Sequence, residues 1–139
     1  MFAPAASFAT AQRQAGAYRQ VHVATGVDGA SPHDLVSMLF DGLVGALAEA
    51  RGALRSGNIA LKGRAIGRAV RIVDEGLSAC LNLGEGGKLA ADLHGLYAYI
   101  NVRLTHANLH NDEAALEECT RLIEPVRSAW SSIQNPARA

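Results

Sequence analysis

Four long segments with apolar residues at helical spacing, separated by short turns, limit the folds open to this chain. The first covers residues 32–55, and the pattern recurs over about residues 59–83, 88–109 and 113–133. Apolar residues three and four positions apart lie on one side of an α-helix, and no stretch of strand length alternates between apolar and polar residues. The sequence therefore predicts an all-α fold, an antiparallel up-and-down four-helix bundle.

The residues between these segments are typical of helix starts and ends. Residues 31–34, Ser-Pro-His-Asp, provide an N-cap, a proline at the first helical position and an acidic version of the capping box. Gly57 suits the left-handed residue that follows a helix, and the glycines within 84–87 separate the second helix from the third. Pro125 falls inside the fourth helix, where we expect a kink rather than an end because the apolar spacing continues over residues 126–133.

The first 30 residues differ from the rest of the chain. They are rich in alanine, glycine, serine, threonine and glutamine, and their apolar residues are sparse. We predict an N-terminal arm at residues 1–30 that is mobile or forms a short helix. The bundle domain then covers residues 31–134, and residues 135–139 form a tail.

Charge and composition argue against several classes of protein. Lys and Arg total 13 and Asp and Glu total 13, so the net charge is zero. Nucleic acid is not the expected partner, because phosphate binding needs an excess of cations. Neither a run of about 18 apolar residues nor a secretory signal is evident, so we expect no membrane insertion. Cys80 and Cys119 suggest neither a disulfide framework nor a zinc site; we expect both to be buried, in a protein of the reducing cytoplasm.

No group of residues predicts a catalytic, cofactor or metal site. His106 and His110 are four residues apart on one helix, but a metal ion would need a third ligand, and no acidic residue stands beside them. Residues 84–88 combine glycines with a lysine but lack the spacing of a phosphate-binding loop, and no strand precedes them. We therefore expect a binding protein rather than an enzyme. A ligand- or metal-binding bundle that uses the two histidines is the weaker alternative.

Three of the four helices have more apolar surface than a bundle core requires. Apolar residues make up 49% of the chain and charged residues 19%, and the mean hydropathy is +0.07. A helix in a bundle needs an apolar stripe of roughly 100°. Second stripes include Leu61, Ile72 and Ala79 on the second helix and Tyr99 and Val102 on the third. Either these broader stripes pack on two neighbours and under the arm, or part of them is a docking groove for another chain.

Several groups of residues, in a characteristic order and spacing, resemble one family. They are Ala17-Tyr18, Ser31–Gly42, Ala69–Leu77, Gly86-Gly87, Leu89-Ala90, Leu93, Leu96–Tyr99, Leu104, Ala107-Asn108, Asn111-Asp112 and Ala129-Trp130. Over about residues 17–133 the chain resembles the flagellin export chaperones, the FliS family. Lys88 departs from the acidic residue that is usual after the two glycines.

The resemblance implies a cytoplasmic bundle that binds the disordered C-terminal segment of new flagellin, prevents its polymerisation and delivers it to the flagellar export apparatus. It also implies that the arm lies over part of the groove, where Tyr18 matches the arm tyrosine associated with flagellin binding. A disordered partner loses conformational entropy on binding and so needs a long apolar surface. The expected partner-binding residues are Tyr18, Val21, Leu61, Ile72, Ala79, Tyr99 and Val102. The alternative is a structural homodimer whose second stripes meet across a symmetry axis.

Overall fold

The computed structural model describes residues 29–133. Helix α1 spans Pro32–Ser56, α2 spans Ile59–Arg71 and continues as a π-helical segment over Ile72–Ser78, α3 spans Gly87–His110, and α4 spans Glu113–Ser132. In this part of the chain α1 and α3 each pack beside both α2 and α4, whereas the backbones of the helices on the two diagonals stay further apart. The helices form a ring in chain order, which confirms the predicted four-helix bundle. The predicted arm and tail lie outside the described residues, apart from Gly29 and Ala30.

The helix starts follow the capping residues seen in the sequence. The Ser31 hydroxyl oxygen accepts a hydrogen bond from the Asp34 amide at 3.1 Å, and the Asp34 carboxylate accepts one from the Ser31 amide at 3.4 Å. Gly57, with φ of 75°, follows α1 in the left-handed conformation that a glycine adopts most easily. Asn58 and Asp112 cap α2 and α4 with side-chain oxygens. These local interactions satisfy amides at helix starts that have no partner within the helix.

The core lies between the four helices and consists mainly of aliphatic side chains. The largest fully buried side chains are Leu43, Leu47, Ile66, Val73, Ile100, Leu104, Leu116, Cys119 and Ile123. Cys119 is thus buried as predicted. Helix α4 continues through Pro125 to Ser132, so the expectation that this proline does not end the helix is confirmed.

His33 and Trp130 join the first turn of α1 to the last turns of α4. Their rings stack with centroids 4.8 Å apart and planes inclined by 12°. The Trp130 indole Nε1 donates to the His33 carbonyl at 3.2 Å, and the His33 Nε2 lies 3.1 Å from the Trp130 carbonyl oxygen. The Trp130 ring also lies 6.5 Å from that of Phe40, centroid to centroid, so this end of the bundle packs against the core.

The second helix ends at Ser78, earlier than the predicted position near residue 83. The Asn82 side chain accepts from the Glu85 amide at 3.0 Å, and the Asn82 carbonyl accepts from the Gly86 amide at 2.7 Å. A side chain that bonds to the nearby backbone offers the chain an alternative to the helix. Cys80 lies in the turn between Ser78 and Asn82 and is exposed, so the prediction that it is buried was wrong.

Glycines on both sides bring α1 close to the π-helical end of α2. A Cβ atom at Gly76 would lie only 2.9 Å from Leu39 Cδ2, and one at Gly42 would lie 3.3 Å from Ile72 Cδ1. Side chains of α1 and α2 therefore occupy the space that a larger residue would need. The close approach fixes how α1 and α2 pack at this level of the bundle.

Candidate partner-binding surface

The outer side of α3 is largely apolar, although the inner side of the same helix already packs in the core. Its buried residues include Tyr97, Ile100 and Leu104 on the inner side. Exposed residues without charge on the opposite side are Ala91, Gly95, Ala98, Val102 and Leu109, here called the α3 outer face, and Lys88 lies on this side one turn before Ala91. Val102 is 65% exposed and Leu109 is 74% exposed. Contiguous apolar surface of this kind is typical of sites that bind another molecule.

A hydrogen-bonded group borders the α3 outer face on the side of α4. The Tyr99 hydroxyl donates to one Glu118 carboxylate oxygen at 2.6 Å, and the Arg103 Nε donates to the other, also at 2.6 Å. These two bonds, the one from Tyr99 first, lower the pKa of Glu118 below its ordinary value. The same bond raises the pKa of Tyr99. Glu118 is therefore ionised at neutral pH and holds the Tyr99 ring, which stays 45% exposed, next to Val102.

The residues predicted on the second helix lie elsewhere, and one of them, Ile72, contacts α1. Ile72 is partly buried, packs against the core and fills the space beside Gly42. Leu61 is half-buried and precedes Ile72 by about three helical turns, so the two share a side of the helix. Ala79, also half-buried, follows the π-helical segment.

The predicted partner-binding residues thus form two patches rather than one. Ile72 lies at the α1–α2 boundary, with Leu61 on the same side of α2, whereas Tyr99 and Val102 belong to the exposed side of α3, on the helix diagonal to α1. The other two predicted residues, Tyr18 and Val21, lie outside the described residues. A partner that touches both described patches has to pass around the bundle.

Lys62 links the start of α2 to the end of α3 through hydrogen bonds, a contact that the sequence did not predict. Its side chain is only 4% exposed. The ammonium donates to the Asn108 carbonyl oxygen and to the Asn108 side-chain oxygen, both at 2.8 Å. The carbonyls of the last helical turn have no partner within the helix and form the negative end of its dipole, so a cation is well placed there. In the sequence nothing distinguishes this lysine from an exposed one.

His106, at the end of α3, lies next to an acidic residue and to His110 but not in a metal-binding cluster. His106 Nε2 lies 3.2 Å from an Asp112 carboxylate oxygen, and the His106 and His110 ring centroids are 4.6 Å apart. Between residues 29 and 133 no three histidine, cysteine or acidic side chains come together in a way that could hold a metal ion. Over the same residues no helix has the length and apolar character needed to cross a membrane.

Comparison with known proteins gives consistent matches over most of the chain. Residues 14–137 match the family model described as flagellar protein FliS. The flagellar secretion chaperone FliS of Salmonella typhimurium is 45% identical over 121 residues, which cover 87% of this chain and 90% of the relative. The flagellar secretion chaperone FliSB of Pseudomonas aeruginosa is 40% identical over 118 residues, 85% of this chain and 93% of the relative. FliS of Bacillus subtilis is 31% identical over 114 residues, 82% and 80% of the two chains.

Proposed function

This chain belongs to the FliS family of flagellar secretion chaperones, and on that basis we propose that it binds the disordered C-terminal segment of flagellin in the cytoplasm. Binding there prevents flagellin from polymerising prematurely, and the complex delivers flagellin to the flagellar export apparatus. The relatives are named as chaperones, and the proposal involves no catalytic step, cofactor or metal.

The observation that carries this proposal is the α3 outer face. The bundle has a complete core, yet Val102 and Leu109 remain more than half exposed. A segment without a fold of its own must bury enough apolar surface to offset the entropy that it loses on ordering. Burial of a side chain the size of valine or leucine contributes about 1.5–3 kcal/mol. Several such contacts along one helix support binding of an extended or helical segment.

The two patches of predicted residues fit a partner that wraps around the bundle. In this proposal flagellin contacts Tyr99 and Val102 on α3 directly, because both are exposed. Contacts at Leu61, Ile72 and Ala79 are restricted to the smaller part of each residue that the bundle leaves exposed. Tyr18 and Val21 contribute from the arm, and we expect Tyr18→Ala to weaken flagellin binding, as measured by calorimetry with a flagellin C-terminal peptide.

Val102→Asp tests the proposed surface. The substitution places a carboxylate in the middle of the α3 outer face, so we expect flagellin binding to weaken roughly tenfold or more while the melting temperature changes little. Ala48→Asp is the matched control: Ala48 is exposed on α1, diagonal to α3, and also lies inside a long helix. Calorimetry with monomeric flagellin, intact and without its C-terminal segment, measures both effects.

Each outcome separates one part of the proposal from the others. Wild-type protein that binds neither form of flagellin contradicts the function. Equal binding by Val102→Asp and wild type leaves the function but excludes the α3 outer face as the site. Light scattering adds a further test, because a stable dimer that ignores flagellin favours the structural homodimer. Ile72→Asp is a poorer probe, since Ile72 packs against the core and we expect its substitution to lower stability as well.

A further inference from the structure

The side of α1 that points away from the core is exposed along its whole length. Its residues recur three and four positions apart, the spacing that lets two helices pack side by side. They are Met38, Asp41, Gly45, Ala48, Gly52 and Arg55, here called the α1 outer face. The buried residues of α1, among them Leu43, Ala46 and Ala50, lie on the opposite side. The α1 outer face is therefore open to solvent while the rest of the helix packs in the bundle.

Charged side chains towards the two ends of the α1 outer face keep free hydrogen-bonding atoms. Asp41 is 63% exposed, and both hydrogen bonds that it accepts from Arg127, at 3.0 and 2.7 Å, go to Oδ1. Arg55 is 64% exposed, and its Nε lies 2.6 Å from a Glu113 carboxylate oxygen. Within residues 29–133 the Asp41 Oδ2 accepts no hydrogen bond and the two terminal nitrogens of Arg55 donate none. The same face thus offers a carboxylate oxygen and a guanidinium edge to a partner.

The bundle itself gives no reason for the two glycines between these charges. Glycine weakens a helix relative to alanine. A Cβ atom at Gly45 or Gly52 would meet no other atom within 4 Å, in contrast to one at Gly76. Neither Gly45 nor Gly52 has a positive φ, so the backbone conformation does not require glycine either. What the two glycines do allow is the close approach of another helix to this side of α1.

The order of these residues makes the α1 outer face complementary to a second copy of itself in the antiparallel orientation. Asp41 and Arg55 each lie seven residues from Ala48. A two-fold axis at Ala48 therefore places Asp41 of each copy beside Arg55 of the other, and the charge pair forms twice. The same axis places Gly45 of each copy beside Gly52 of the other, where no side chain keeps the helices apart. An interface of this kind is closed, because each copy uses the same surface.

We propose that the α1 outer face is the interface of an antiparallel homodimer, held by two Asp41–Arg55 pairs on either side of the close helix contact. In this orientation Met38, 41% exposed, lies level with the turn after α1 of the other copy, where Ile59 is 53% exposed. The α3 outer face lies on the diagonal helix and stays free in both copies. This dimer thus differs from one in which the second stripes meet. A single helix pair buries less than the about 1,200 Å² of stable interfaces, so we expect dissociation at roughly 10–100 µM.

Ala48→Asp tests the position of the interface. The substitution brings two carboxylates together at the two-fold axis, so we expect dimerisation to weaken roughly tenfold or more. Thr105→Asp is the matched control, because Thr105 is exposed on α3, diagonal to α1, and also lies inside a long helix. We expect the control to dimerise like wild type. Sedimentation equilibrium of the full-length protein over about 1–300 µM measures dimerisation, and circular dichroism establishes that both variants fold.

Asp41→Arg and Arg55→Asp test the antiparallel pairing. Each variant alone places like charges together in the homodimer, so we expect both to be more monomeric than wild type at about 50 mM salt. An equimolar mixture restores opposite charges at both pairs, so we expect heterodimers at concentrations where each variant alone is monomeric. The substitutions also alter the contacts with Arg127 and Glu113 within each chain. Those changes are the same in the mixture and in the separate variants, so they do not produce the recovery.

The outcomes decide the proposal without reference to flagellin, so its failure is distinct from failure of the proposed function. Wild type that remains monomeric throughout the concentration range overturns the proposal and leaves the α1 outer face to a different partner. Equal dimerisation by wild type and Ala48→Asp, or a dimer that only Thr105→Asp disrupts, places the interface elsewhere and also overturns it. A mixture of the two charge variants that stays monomeric contradicts the antiparallel pairing on which the proposal depends.

Discussion

Replacement of Trp130 by alanine measures how much the contact between the first turn of α1 and the end of α4 contributes to stability. A fully buried tryptophan truncated to alanine costs about 3–5 kcal/mol. Trp130 is only half-buried, so we assign about 2 kcal/mol to lost packing against His33 and Phe40. The lost bond from the indole to the His33 carbonyl adds about 1 kcal/mol. We therefore expect the free energy of unfolding to fall by about 3 kcal/mol.

Trp130→Phe separates the two contributions. Phenylalanine keeps a ring beside His33 and Phe40 but has no donor. The His33 carbonyl also accepts from the Ser37 hydroxyl at 3.0 Å, so it does not lose every partner. We expect this variant to cost only about 0.5–1.5 kcal/mol. Urea denaturation followed by circular dichroism gives both values. An unchanged midpoint for Trp130→Ala, or an equal loss for both variants, would refute the assignment of most of the energy to packing.

Three further predictions concern interactions within and between helices. Lys62→Met keeps the apolar stem and removes the ammonium, so we expect the free energy of unfolding, measured by urea titration, to fall by about 1–3 kcal/mol. A rise in the free energy of unfolding would mean that desolvation of the buried charge costs more than its hydrogen bonds contribute. Gly76→Ala forces Leu39 to move and should cost about 1–3 kcal/mol, whereas Gly45→Ala, with no atom within 4 Å, should stabilise the helix by up to about 1 kcal/mol. Glu118→Gln should lower the melting temperature at neutral pH and make no difference in acid, because the lowered pKa means that the stabilising charge is lost only as the pH falls through it.

The helix boundaries that depend on neighbouring residues could be predicted from the sequence. The capping residues 31–34 and the glycine at position 57 act within one turn of the chain, so their effect is visible in the order of the residues. The end of α2 could not be placed in this way. Asn82 forms a turn that competes with further helix, and the π-helical segment packs where Gly76 meets Leu39 of another helix. The apolar spacing of residues 72–83 reveals neither the turn at Asn82 nor the contact between Gly76 and Leu39.

The candidate surface was harder to predict, because the availability of a side chain depends on residues from other helices. Apolar spacing placed Ile72 and Val102 alike on second stripes, but Ile72 packs against the core beside Gly42 of α1, whereas Val102 is 65% exposed. The arginines of α2 show the same limit. In the sequence Arg64, Arg68 and Arg71 form one basic stripe, yet Glu49 of α1 lies 3.4 Å from Arg68 and no carboxylate of the described residues lies within 4.0 Å of the other two. Which arginine of the stripe is paired depends on where α1 places Glu49, and the spacing of residues on α2 does not contain that position.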